Sequence, residues 1–133
     1  SFDKLCKKYG YERCVGMDLW NPEGHPRVIV KDCSTLSEED NMPIAFCHND
    51  LGGFGHTPKL KMHGQNWAIK NMVPGSYFLG NDSSNRLGID IESLMEENGM
   101  TNTHLRDLDP TKFNLTNLSS RCLNGYMLSY KAK

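Results

Sequence analysis

Five cysteines spread through 133 residues, at Cys6, Cys14, Cys33, Cys47 and Cys122, constrain this chain more than any other feature. No two have the two-residue spacing of a zinc knuckle or a redox dithiol, so their scatter fits covalent stapling better than a shared chemical site. An odd number in a short polar chain predicts two disulfides and one thiol that is buried, reactive or joined to a second molecule as a dimer. Cys33 and Cys47 flank the turn-rich stretch from Asp32 to Met42 and form the expected local pair. The other bridge would draw on Cys6, Cys14 and Cys122 and tie the terminal segments together. Such chemistry expects an oxidising, extracellular compartment.

Length fits one domain, residues 1–133, able to bury roughly two thirds of its unfolded surface. With 15 basic and 16 acidic residues the net charge is -1, and no global field gathers nucleic acid or an anionic membrane. No apolar run approaches the ~20 residues that cross a bilayer. The start Ser1-Phe2-Asp3-Lys4 is not a secretion signal, so a secreted form would have had its signal removed. Three glycosylation sequons, at Asn81, Asn114 and Asn117, exceed the ~1.4 that 12 Asn and 16 Ser or Thr give by chance, which favours secretion.

Phe2, Leu5, Cys6 and Tyr9 recur at helical spacing before Gly10, predicting a short helix over residues 1–10. Beyond it, brief apolar or alternating runs separated by Gly, Pro, Asn and Asp read as an antiparallel β domain. Strands are expected at Cys14–Leu19, Arg27–Lys31, Pro43–Cys47, Lys59–His63, Trp67–Val73 and Ser76–Leu79. In Lys59–His63 the alternation sets Leu60 and Met62 on one face and Lys59, Lys61 and His63 on the other. A short helix is expected after Ile91, ended by Asn98-Gly99. Another is expected at Asp109-Pro110, followed by strand-like alternation at Phe113 and Leu115 and again at Tyr126, Leu128 and Tyr130.

The order of several short motifs resembles the nematode transthyretin-like family. They are Gly16, Pro26, Val28-Ile29-Val30-Lys31-Asp32, Glu38-Glu39-Asp40-Asn41-Met42 and Asn49-Asp50-Leu51-Gly52-Gly53-Phe54. Pro58-Lys59-Leu60-Lys61-Met62-His63, Val73-Pro74-Gly75-Ser76-Tyr77 and Leu87-Gly88-Ile89-Asp90-Ile91 continue the order. The resemblance covers about residues 14–95 and implies a secreted, non-catalytic protein folded as one antiparallel β-sandwich, transthyretin-like or immunoglobulin-like. One to three short helices and disulfide staples complete that expected fold, with residues 99–133 an extension beyond the family-like region. The chain departs from the family at the cysteines: Gly64-Gln65-Asn66-Trp67 follows His63 where two cysteines usually stand. A lesser resemblance, of Cys122-Leu123-Asn124-Gly125-Tyr126-Met127-Leu128 to the central strand of complement control modules, also implies a secreted binding module.

Among polar clusters, His48, Asp50, His56 and His63 offer nitrogen and oxygen ligands for a metal-dependent hydrolase or nuclease. Their spacing matches no zinc signature, and Asn49-Asp50-Leu51-Gly52-Gly53 reads first as a turn, so no metal, cofactor or catalytic residue is assigned. Gly52-Gly53-Phe54-Gly55 lacks the lysine and hydroxyl of a phosphate loop, and Glu92, Glu96 and Glu97 read as a solvated helix face. Trp20 and Trp67 are expected core anchors, yet Trp20–Pro26 is also a loop carrying an aromatic, a carboxylate and an imidazole.

The expected binding residues are therefore Trp20, Glu23 and His25 on that loop and Lys59, Lys61 and His63 on the wet strand face. The expected partner is an extracellular protein, with no nucleic acid and no membrane span, and a parasite product acting on its host is the candidate role. A small secreted hydrolase using His48, Asp50 and His56 is the alternative, and a cytosolic protein with all thiols reduced is the third reading.

Overall fold

The computed structural model describes residues 2–49, 58–81 and 91–133, with side chains for 2–49, 63–80 and 92–133. The amino-terminal portion begins with α1 (Phe2–Tyr9), whose end is set by Gly10 at φ 100, a conformation that favours glycine. A 3-10 turn (Tyr11–Arg13) leads into β1 (Gly16–Asp18), which pairs in parallel with β2 (Val28–Val30). Two further 3-10 turns come next, Cys33–Thr35 and Glu38–Asp40, each begun by a capping side chain: Asp32 accepts from the Ser34 N–H, and Ser37 and Asp40 form a capping box.

The main sheet contains β3 (Ile44–Asn49), β4 (Met72–Asn81), β5 (Met100–His104) and β6 (Tyr126–Lys131) in the order β3-β4-β6-β5. β3 and β4 are parallel and joined through α2 (Pro58–Asn71), the long crossover that a parallel pair requires. β6 runs antiparallel to both β4 and β5. Before β5 stands α3 (Ile91–Glu97), ended as expected at Asn98-Gly99 with Gly99 at φ 75. Before β6 stands α4 (Ser120–Gly125), whose Ser119 side chain accepts from the Cys122 N–H. Residues 99–133 are thus integral to the fold, since β6 lies between β4 and β5.

One face of the sheet holds the core. Phe78 from β4, Met100 from β5 and Met127 from β6 meet Ala68 and Ile69 of α2, Met72 at the start of β4, and Met95 of α3, with Ile44, Cys47, Trp67 and Leu94 packed around them. Four methionines in this cluster let unbranched side chains fill the irregular gap between helices and sheet. Where a sandwich would set a second sheet, α2 and α3 cover the core face, so the protein is mixed α/β and not mainly β.

The Lys59–His63 strand is corrected to part of α2. Five residues of alternation are too short to outweigh the helical period downstream of them, where Gln65, Ala68, Ile69 and Met72 are buried at spacings of three, one and three. Pro58 also suits the first turn of a helix, where its missing N–H has no partner to lose. The Trp67–Val73 strand is likewise the end of α2 and the start of β4. Phe113 and Leu115 lie in consecutive turns, not in a strand.

Candidate functional site

The loop between β1 and β2 must return the chain along the sheet before β2 can pair in parallel, and its sequence supplies the pins. The Asn21 side chain accepts from the His25 N–H at 2.9 Å and donates to the His25 carbonyl at 3.0 Å. Gly24 donates to the Asn21 carbonyl from φ 62, closing a tight turn inside that bracket. His25 Nδ1 accepts from the Arg27 N–H at 3.1 Å, which leaves Nε2 as the protonated nitrogen facing Asp3 Oδ1 at 3.1 Å. The imidazole lies between Phe2, with ring centroids 5.0 Å apart, and Tyr11, which stacks on it at 6.1 Å. His25 therefore anchors the loop to α1, and its side chain is only 15 % exposed.

Asp3 is the hub of this anchor. It accepts from the Tyr11 hydroxyl at 2.8 Å and from Lys7 at 3.0 Å in addition to His25. These bonds, Tyr11's foremost, lower its carboxyl from 3.8 to about 2. A depressed carboxylate contributes stability that is present above its unfolded pKa and lost as pH falls through its folded one. In an NMR titration between pH 5 and pH 1.5, the Asp3 carboxyl should titrate near 2, and the His25 and Tyr11 ring resonances should move with it. An Asp3 midpoint near 4 would contradict this arrangement.

Above these pins the apolar side chains are left in solvent. Trp20 is 74 % exposed, against the expectation of a core anchor, and Leu19 beside it is 52 % exposed. Ile29 and Val30 of the adjoining β2 are 46 % and 61 % exposed. Glu23 is exposed at the loop tip. Trp67 does anchor the core edge, and its indole N–H donates to the Ser37 carbonyl at 3.2 Å.

The second half of the expected binding set has a different setting. Lys59, Lys61 and His63 lie on α2, so no strand face unites them, and the side chains of Lys59 and Lys61 are outside the described residues. His63 Nε2 is 2.7 Å from the Leu36 carbonyl, at the 3-10 turn beyond β2. His25 instead faces α1, so the structure gives the loop and the α2 segment separate neighbours.

His48 is exposed on β3 with its ring 6.1 Å from that of Tyr126, while Asp50 and His56 lie outside the described residues. Among the described residues no group of three His, Cys, Asp or Glu could hold a metal ion. Glu92 pairs with His104 across α3 and β5, and Glu96 and Glu97 are exposed. Asn114 and Asn117 are exposed in the turn-rich stretch before α4, and Asn81 ends β4.

The structure joins no two of the five cysteines, where the sequence predicts two disulfides. Cys47 packs against the core, where burial pushes its thiol up to about 11. Burial also raises Cys33, whose charged neighbours are the carboxylates of Asp32 and Asp18. The expected Cys33 and Cys47 partners thus have different surroundings.

The outer face of the main sheet carries a row that sequence reasoning did not single out. Phe46 pairs in register with Tyr77, and Tyr77 with Tyr130. Phe46 and Tyr77 are 53 % and 43 % exposed, and the Tyr77 and Tyr130 rings meet at 4.9 Å. Its signal in the sequence is the alternation in Ser76-Tyr77-Phe78-Leu79, which assigns Tyr77 and Phe78 to opposite faces.

No family model, no curated protein and no solved structure matches this chain. No helix among the described residues is long and apolar enough to cross a membrane.

Proposed function

We propose that this protein is a secreted, non-catalytic binding domain that recognises another extracellular protein through the surface around Trp20. The observation that carries the reading is an indole left 74 % exposed on a loop that is otherwise tightly pinned. Leu19, Trp20, Ile29 and Val30 leave apolar surface in water in and beside this loop, which supports its reading as an interaction site. A pinned loop loses little conformational freedom on binding, so more of the contact energy appears as affinity. Glu23 adds a charge at the rim that steers the choice of partner.

The extracellular setting is supported by five scattered cysteines, by three sequons, and by the exposure of Asn114 and Asn117. Disulfide stapling and glycosylation belong to the same reading, as does the role of a parasite product acting on its host that the transthyretin-like motifs suggest.

A binding screen against arrayed extracellular domains tests the proposal. The parent chain should select a partner, Trp20→Ala should weaken that interaction roughly 30-fold or more, and Glu39→Ala should leave it intact. If Tyr77→Ala and not Trp20→Ala abolished it, the site would move to the outer face of the main sheet.

A further inference from the structure

The inward face of α1 and the chain entering β1 run in step. Phe2 and Cys6 are four residues apart on one helical face, about 6 Å along the axis. Cys14 has extended backbone, and on an extended chain residues two apart point to the same side about 6.6 Å apart, which matches Cys14 with Gly16. The Phe2 ring lies against Gly16, where an added Cβ would sit 3.3 Å from it. That contact sets the register, and one helical turn on, the matching spacings bring Cys6 level with Cys14. Cys6 is fully buried, whereas Cys14 is half-buried. Gly10 reverses the chain between them, its N–H bonded to the Cys6 carbonyl at 2.9 Å, and Arg27 Nε donates to the Cys14 carbonyl at 2.9 Å.

We propose that Cys6 and Cys14 form a disulfide in the mature protein, clamping α1 beneath the Trp20 loop. The clamp acts through α1, which supplies the Phe2 ring and the Asp3 carboxylate that hold His25. The oxidant is a low-molecular-weight disulfide such as oxidised glutathione. Cys14, which keeps access to solvent, loses its proton and attacks one sulfur of that disulfide, forming a mixed disulfide and releasing one glutathione thiolate. Cys6 then loses its proton and attacks the Cys14 sulfur, releasing the second glutathione. Two protein thiols are oxidised, and one glutathione disulfide is reduced to two thiols. Cys33, Cys47 and Cys122 have no part in this bond.

The assignment rests on the extracellular reading only for the supply of oxidant in the organism, so a test that supplies the oxidant separates the two. Purified chain equilibrated with oxidised and reduced glutathione, alkylated, denatured and digested with trypsin should yield Leu5-Cys6-Lys7 joined to the peptide Cys14–Arg27. Reduction should lower the melting temperature of the parent chain by about 5 °C, and a Cys6→Ser, Cys14→Ser double variant should lose this redox dependence. Recovery of Cys6 and Cys14 as alkylated thiols, or of Cys14 joined to Cys33, Cys47 or Cys122, would overturn the assignment. Neither result depends on finding a binding partner.

Discussion

Phe78→Ala should destabilise the fold by about 3–5 kcal/mol, whereas Tyr77→Ala, one residue earlier, should cost about 1 kcal/mol. Phe78 is 1 % exposed and is among the largest fully buried side chains of the described residues. Around it stand Ala68 and Ile69 of α2, Met95 of α3 and Met127 of β6, so removing the ring opens a cavity where both helices meet the sheet. Methionines can relax into part of that space, which places the cost in this range and not above it. Tyr77 points to the opposite face, where it is 43 % exposed and loses mainly its ring contact with Tyr130. Urea unfolding of both variants checks the contrast, provided the slope with denaturant is unchanged. Equal losses would mean that the register of β4 is wrong.

Trp20→Ala should reverse this pattern, leaving stability within about 0.5 kcal/mol of the parent while weakening partner binding by about 2 kcal/mol or more, roughly 30-fold. The indole contributes little to the folded chain because three quarters of it is already in solvent. Its worth lies in the water it would shed on binding, and large aromatics at the centre of an interface commonly dominate the affinity. Glu23→Ala should have a smaller effect, mostly on association rate and salt dependence, as befits a rim charge. His25→Ala should act differently, by loosening the loop from Phe2, Asp3 and Tyr11. Titration of each variant by calorimetry, paired with its thermal melt, separates contact from positioning.

Much of the local structure is legible where sequence pattern and environment agree. The helical spacing ending at Gly10, the alternation through Ser76–Leu79 and Tyr126–Tyr130, and the Asn98-Gly99 stop all correspond to elements of the fold. Lys59–His63 misleads because a short alternating stretch at the start of a helix looks like a strand until the burial of Ala68, Ile69 and Met72 is known. β5 is hard to see because Thr101 and Thr103 alternate with Asn102 and His104, leaving Met100 as its only large apolar residue. Its inward polar residues are satisfied by tertiary contacts, Asn102 by Ser129 and the Glu92 carbonyl, and His104 by Glu92. The Trp20 loop is legible as a turn because Asn21, Pro22 and Gly24 announce it. The exposure of Trp20 is not, since burial depends on which elements pack over a loop, and a large aromatic is ordinarily an anchor. The roles of Asp3 and Tyr11 are hidden for the same reason, lying 22 and 14 positions from His25.

The most direct measurement of the recognition surface is photocross-linking from a photoreactive amino acid placed at Trp20, with the exposed Glu39 position as control, in extracellular fluid and on intact cell surfaces. A discrete adduct from position 20, competed by excess unlabelled parent chain and absent from position 39, is the predicted result. Equal labelling from both positions, or an adduct that the parent chain fails to compete, would contradict recognition through the Trp20 loop.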